Sequence, residues 1–258
     1  MPLPPALPRI ALAAGILGVA VLGTWWLMQH HEARQEDNER VVAARANVER
    51  GLRDLCRAAE LPYPPDAIYL RGFKHEAQLE IWARTQRQPF RLLTTLPILK
   101  VPGLPGPKRK EGDRQVPEGF YAIDLFNPKS DYHLSMRVNY PNDSDRILSD
   151  KDEPGSDIYI HGSDGSIGCL PLGDPNIEKL FILALDTRKA GQRNIPVHIF
   201  PARMSGEAWD AFQKEQTADK AELAEFWKTL KTGYDYFEQN HQVPKMLVGD
   251  DGVYSLAR

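Results

Sequence analysis

The chain has 258 residues, 42% hydrophobic and 26% charged, enough for one globular domain with appendages and too apolar for disorder throughout. A formal net charge of −3 gives no electrostatic reason to bind nucleic acid, whose capture rests on neutralising phosphates, so no nucleic-acid partner is expected. With two cysteines, Cys56 and Cys169, a disulfide framework is not expected either.

Residues 1–9 form a short segment closed by Arg9. From Ile10 to Met28 the chain is uncharged without interruption, roughly 28 Å as a helix and long enough to cross a bilayer. Arg9 before this run, and Trp25 and Trp26 near its far end, predict a single-pass anchor with residues 1–9 inside and the remainder exported. A cleaved signal peptide is the competing reading, from the small residues around Val21-Leu22-Gly23; the missing Ala-x-Ala site favours the anchor.

Residues 29–60 are polar, with Val41, Val48, Leu52, Leu55 and Ala59 near a helical repeat, and predict an amphipathic juxtamembrane stalk. Cys56 lies in this pattern as a small apolar residue. Leu61-Pro62-Tyr63-Pro64-Pro65-Asp66 ends the helix. Over 61–203 short strand-like runs follow, among them Ile68-Tyr69-Leu70, Leu79-Glu80-Ile81-Trp82, Phe90-Arg91-Leu92-Leu93 and Phe120-Tyr121-Ala122-Ile123. One helix interrupts them from Asn176 to Ala190, with Asp174 read as its N-cap and Pro175 as its first residue. Residues 204–258 return to helix, where Trp209, Phe212, Leu223, Phe226, Trp227 and Leu230 recur as a core stripe, and end in a turn at Gly249-Asp250-Asp251-Gly252 with one strand. The fold class is mostly β with flanking α.

The chemistry concentrates in His161-Gly162-Ser163-Asp164-Gly165-Ser166-Ile167-Gly168-Cys169. Asp157-Ile158-Tyr159-Ile160 reads as a strand that holds His161 where the loop begins. An imidazole near a thiol can take its proton or hold the thiolate as an ion pair, which makes Cys169 a candidate nucleophile and His161 its base. Gly168 gives a substrate open access to the sulfur, and backbone N–H groups near Cys169 are placed to face an oxyanion. Ser166 and Asp164 are placed to orient His161 or to cap a turn. A metal site is not expected, because His161, Asp164 and Cys169 supply no recognisable ligand pair; the loop also lacks the Lys-Ser/Thr ending of a phosphate loop.

His161-Gly162 followed by Ser166-x-Gly168-Cys169 resembles the signature of the YkuD-type L,D-transpeptidase catalytic domain, and the short gap resembles its YafK-like branch. The resemblance extends upstream through Gly112-Asp113, Pro117-Glu118-Gly119-Phe120-Tyr121 and Tyr132 to the Tyr140-Pro141-Asn142 turn. Ile167 and Pro171 stand where most members carry a histidine and an arginine. The resemblance implies a β-sandwich-like domain with a helix beside the active loop, in a bacterial inner-membrane protein with its catalytic domain in the periplasm. It implies acyl transfer at the diaminopimelate centre of peptidoglycan stem peptides, with a peptidoglycan-linked lipoprotein as a further partner and no metal or organic cofactor. Gly162, Ser166 and Gly168 then form the active-site loop. Lys108, Arg114 and Arg137 are candidate contacts for stem carboxylates, and Tyr121, Tyr140 and Asn142 candidate pocket walls. Cross-linking, hydrolysis that releases stem or lipoprotein groups, and cell-wall binding without turnover all stay open.

Overall fold

The computed structural model describes residues 37–257. The anchor read over residues 10–28 lies outside them, and no described helix is long and apolar enough to cross a membrane.

Helix α1, Glu39–Ala58, starts where the Asn38 side chain accepts from the Arg40 N–H at 3.0 Å. Its buried residues Val41, Ala44, Val48, Leu52 and Cys56 recur three or four apart, so they form one stripe. That stripe packs into the main core, chiefly against helix α3, Asp174–Lys189. Arg45 pairs with Asp186 of α3 at 2.6 Å, and the Tyr63 hydroxyl donates to the same carboxylate at 2.6 Å. The segment read as a standing-off stalk therefore lies along the domain, because its apolar stripe has a sheet and a helix to cover.

The strands are β1 (Ala67–Phe73), β2 (Gln78–Arg84), β3 (Arg91–Pro97), β4 (Gly119–Asn127), β5 (Ser135–Val138), β6 (Ile158–His161), β7 (Leu170–Pro171) and β8 (Ile195–Phe200). They hydrogen-bond in the order β3-β2-β1-β8-β4-β5-β6-β7. The expected sandwich-like arrangement is thus one continuous sheet of eight strands, with helices rather than a second large sheet covering its faces. Among the described strands only β1–β8 and β6–β7 pair in parallel. A short helix α2, Asp143–Leu148, follows β5 and is closed by an Asn142–Asp145 capping box.

Strand alternation sorts the side chains between two faces. Ile68, Leu70, Met136, Val138, Ile158 and Ile160 face the core shared with α1 and α3. Tyr69 and Phe73 face the other way, where helix α5, Ala221–Asn240, brings Phe237, Tyr234 and Trp227. Helix α4, Gly206–Thr217, adds Trp209, and Trp227 donates its indole N–H to Glu118 at 2.7 Å. The chain closes in a hairpin of β9, Met246–Val248, and β10, Tyr254–Leu256, so the expected single terminal strand is a pair. Helices α4 and α5 share their core with β1 and β8 and form one body with the sheet.

Candidate active site

On β5 and β6 the residues that face away from the main core are Ser135, Arg137, Tyr159 and His161, paired Ser135 to His161 and Arg137 to Tyr159. The loop after His161 returns as β7, whose register sets Leu170 beside Ile160 and so brings Cys169 level with Tyr159. Tyr159 donates its backbone N–H to the Cys169 Sγ at 3.4 Å. Cys169 and His161 then line one cavity of about 240 Å³ with Tyr159, Tyr132, Ser135 and Lys129. A larger cavity of about 610 Å³, between α5 and the terminal hairpin, contains neither group.

His161 is buried, and its Nδ1 lies 2.5 Å from the Gly162 carbonyl oxygen, so Nδ1 carries the proton and donates it there. The lone pair is left on Nε2, the atom a general base needs. Burial pushes the imidazole below its usual range and keeps it neutral. The Tyr132 ring packs on it at 4.7 Å. Burial also raises the Cys169 thiol; the Tyr159 N–H and Lys108 draw it down, and Asp157 pushes it further up. Burial thus disfavours the charged form of both groups, a thiolate at Cys169 and an imidazolium at His161.

Ser166 shapes the loop: its hydroxyl donates to the Cys169 carbonyl at 2.7 Å and accepts from the Gly168 N–H at 3.0 Å. Gly168 has φ +148°, and a Cβ there would lie 3.0 Å from the Gln115 carbonyl oxygen, so the tight turn into Cys169 needs glycine. A Cβ on Gly162 would lie 2.6 Å from Asp174 Oδ1 and 2.7 Å from the Tyr132 carbonyl. The Gly162 N–H donates to Leu134. Asp174 is not the N-cap of α3; Gly173 holds that position, and the Asp174 carboxylate instead accepts from the Ser163 N–H at 2.8 Å. Helix α3 is thereby tied to the loop that follows His161.

The six residues read as substrate contacts do not line this cavity. Arg137 holds Asp124 at 2.9 and 3.2 Å and Asp157 at 3.5 Å. Lys108 is buried on Asp113 at 2.7 Å. Arg114 is exposed at φ +55°. Tyr121 donates to the Glu118 carbonyl and to Asp145, and Tyr140 to the Pro154 carbonyl at 2.6 Å. Asn142 caps α2 and donates to the Phe120 carbonyl and the Tyr254 hydroxyl. Lys108, Tyr121, Tyr140 and Asn142 are buried and brace the frame around the site, because each of their polar atoms there needs a partner. The sequence does not mark Tyr132, Lys129 and Ser135 as site residues, and Tyr132 enters it only as part of the resemblance. Strand alternation would have paired Ser135 with His161, but nothing in the sequence folds the 127–134 turn over the cavity. Among the described residues no group of three or more His, Cys, Asp or Glu is placed to hold a metal ion.

Residues 84–199 match the YkuD family, the L,D-transpeptidase catalytic domain. The chain is 33% identical over 183 residues to the putative L,D-transpeptidase YafK of Escherichia coli, covering 70% of each. Among solved structures it is similar to the helical cell shape determining protein Pgp2 from Campylobacter jejuni, at 18% identity, 71% of this chain, 73% of that chain and a TM-score of 0.42. It is also similar to Bd1075 of Bdellovibrio bacteriovorus, at 24% identity, 65% of this chain, 59% of that chain and a TM-score of 0.37. From the matched domain and the extent of identity with YafK, the chain belongs to the L,D-transpeptidase catalytic domain family.

Proposed function

We propose that this chain is an exported cysteine acyl-transfer enzyme acting on peptidoglycan stem peptides at the diaminopimelate centre. The observation that carries the reading is the shared cavity of Cys169 and His161, with the imidazole tautomer fixed by the Gly162 carbonyl. His161 Nε2 takes the thiol proton as sulfur bonds to the amide carbonyl carbon. The C–N bond then breaks, the leaving amine receives that proton from the imidazolium, and a Cys169 thioester remains. An acceptor amine gives its proton to His161, attacks the thioester and restores the thiol. Water in place of the amine gives hydrolysis.

The N–H groups of Gly162 and Gly168 are both committed within the fold. The oxyanion is therefore assigned to the amide of Cys169, on the residue that bears the sulfur. Residues 10–28 anchor the chain in the inner membrane, with the catalytic domain in the periplasm.

The test is incubation of the full-length chain with defined tetrapeptide muropeptides and lipoprotein-linked sacculi, followed by mass spectrometry. A thioester adduct on Cys169, absent from Cys169→Ala and strongly reduced in His161→Gln, is the expected result. Joined or amine-exchanged products assign transfer, whereas released stems or lipoprotein alone assign hydrolysis. Turnover that survives Cys169→Ala refutes the mechanism.

A further inference from the structure

Pro171 leaves the site without the arginine that most members carry two residues beyond the cysteine, and a proline side chain donates no hydrogen bond. The neighbouring cations do not replace it. Arg137 is held by two carboxylates, Lys108 is buried on Asp113, and Arg109 pairs with Asp145 at 3.1 Å while lying over the Phe226 ring. Lys129 differs on each count. It lines the cavity of Cys169 and His161, its side chain is exposed, and no described carboxylate forms an ion pair with it.

The turn that carries Lys129 is also built rather than loose. Its own N–H donates to Asn127 Oδ1 at 3.0 Å, and the Tyr132 N–H donates to Ser130 Oγ at 3.1 Å. From α1, the Arg40 guanidinium donates to the Ser130 carbonyl at 2.5 Å and to the His133 carbonyl at 2.9 Å. A backbone fixed from both sides leaves only the lysine side chain to order on binding.

We propose that Lys129 is the substrate-binding residue that receives a carboxylate of the stem peptide beside Cys169; this deepens the function proposed above and rests on it. An ammonium meets a carboxylate through charge-assisted hydrogen bonds without the fixed fork of a guanidinium, so it tolerates a position on a turn instead of on β7. Asp131 lines the same cavity and opposes an incoming carboxylate, a repulsion that the Lys129 ammonium offsets.

The test separates binding from chemistry. In the full-length Cys169→Ala chain, a tetrapeptide stem with free carboxylates and its fully amidated counterpart are titrated by calorimetry. The free form is expected to bind about tenfold to a hundredfold more tightly, the span of a hydrogen bond to a charged group. Adding Lys129→Met should bring the two affinities within about threefold, and Lys129→Arg should keep most of the preference. In the active chain, Lys129→Met should raise KM for the free stem more than it lowers kcat. A preference that persists in Lys129→Met, or that is missing from the Cys169→Ala chain, overturns the proposal. A Lys129-dependent preference without any Cys169 thioester would instead sink the catalytic reading and leave the recognition role standing.

Discussion

Ser166 does not touch His161; it braces the backbone on either side of the sulfur through one donated and one accepted hydrogen bond. Ser166→Ala removes both and leaves the Gly168 N–H without its partner, a loss of about 1–2 kcal/mol. The expected outcome is a lower denaturant midpoint together with slower Cys169 acylation, measured on the same protein. A midpoint shift without any change in acylation would mean that the loop holds its shape without the hydroxyl. If His161 is the base proposed above, it sets the pH response. Its burial lowers the imidazole below its usual 6.5, so it is neutral above that value and takes up a proton only as pH falls below it. Single-turnover acylation should therefore be level through neutrality and fall only below about pH 6.5, the unperturbed histidine value. An acid limb centred above 7 would contradict a lowered imidazole, and a fall on the alkaline side would indicate a thiolate–imidazolium pair instead. Cys169 and His161 were legible as candidates for nucleophile and base because their spacing in a glycine-punctuated loop carries chemistry, and the structure sets both on one cavity. Their surroundings were not, since Tyr159 and Tyr132 reach the site through sheet register and a turn, and neither is a property of local sequence.

At the scale of elements, the strand runs around Ile68, Leu79, Phe90, Phe120 and Ile158 declared themselves through β-branched and aromatic residues, and all became strands of one sheet or, for Phe90, the residue just before β3. What stayed illegible was how the layers close. A stripe such as Val41 to Cys56 says that one face is buried without saying against what, and here the answer is α3. The aromatic stripe of the last helices was readable as core for the same reason, yet its polar anchor was not. Glu118 is fully buried, bound to Lys74 at 2.8 Å, to the Gly106 N–H at 2.8 Å and to the Trp227 indole at 2.7 Å. Trp227→Phe keeps most of the ring volume but deprives that carboxylate of a donor. A loss of about 1.5–3 kcal/mol is expected, the range for a hydrogen bond to a buried charge, with the thermal midpoint as readout. An unchanged midpoint would show that Lys74 and the backbone satisfy Glu118 without help.

On the scale of the whole molecule, sheet and terminal helices are one cooperative body. Phe73 and Phe200 belong to the sheet, and their neighbours Trp209, Trp227 and Tyr234 come from α4 and α5. A chain ended at residue 203 exposes those rings together with the Lys74–Glu118 pair, so it should lack a cooperative thermal transition and show weak near-ultraviolet circular dichroism. A sharp transition in that truncated chain would show the terminal helices to be an independent addition. The docking of α1 along the core has a further consequence for how the domain bears load. Because Glu39–Ala58 is committed to the domain, a pull on the chain from its N-terminal side falls first on the seam between α1 and α3 and on the Arg45–Asp186 pair, so tension is carried by the folded body itself and not by a separate stalk.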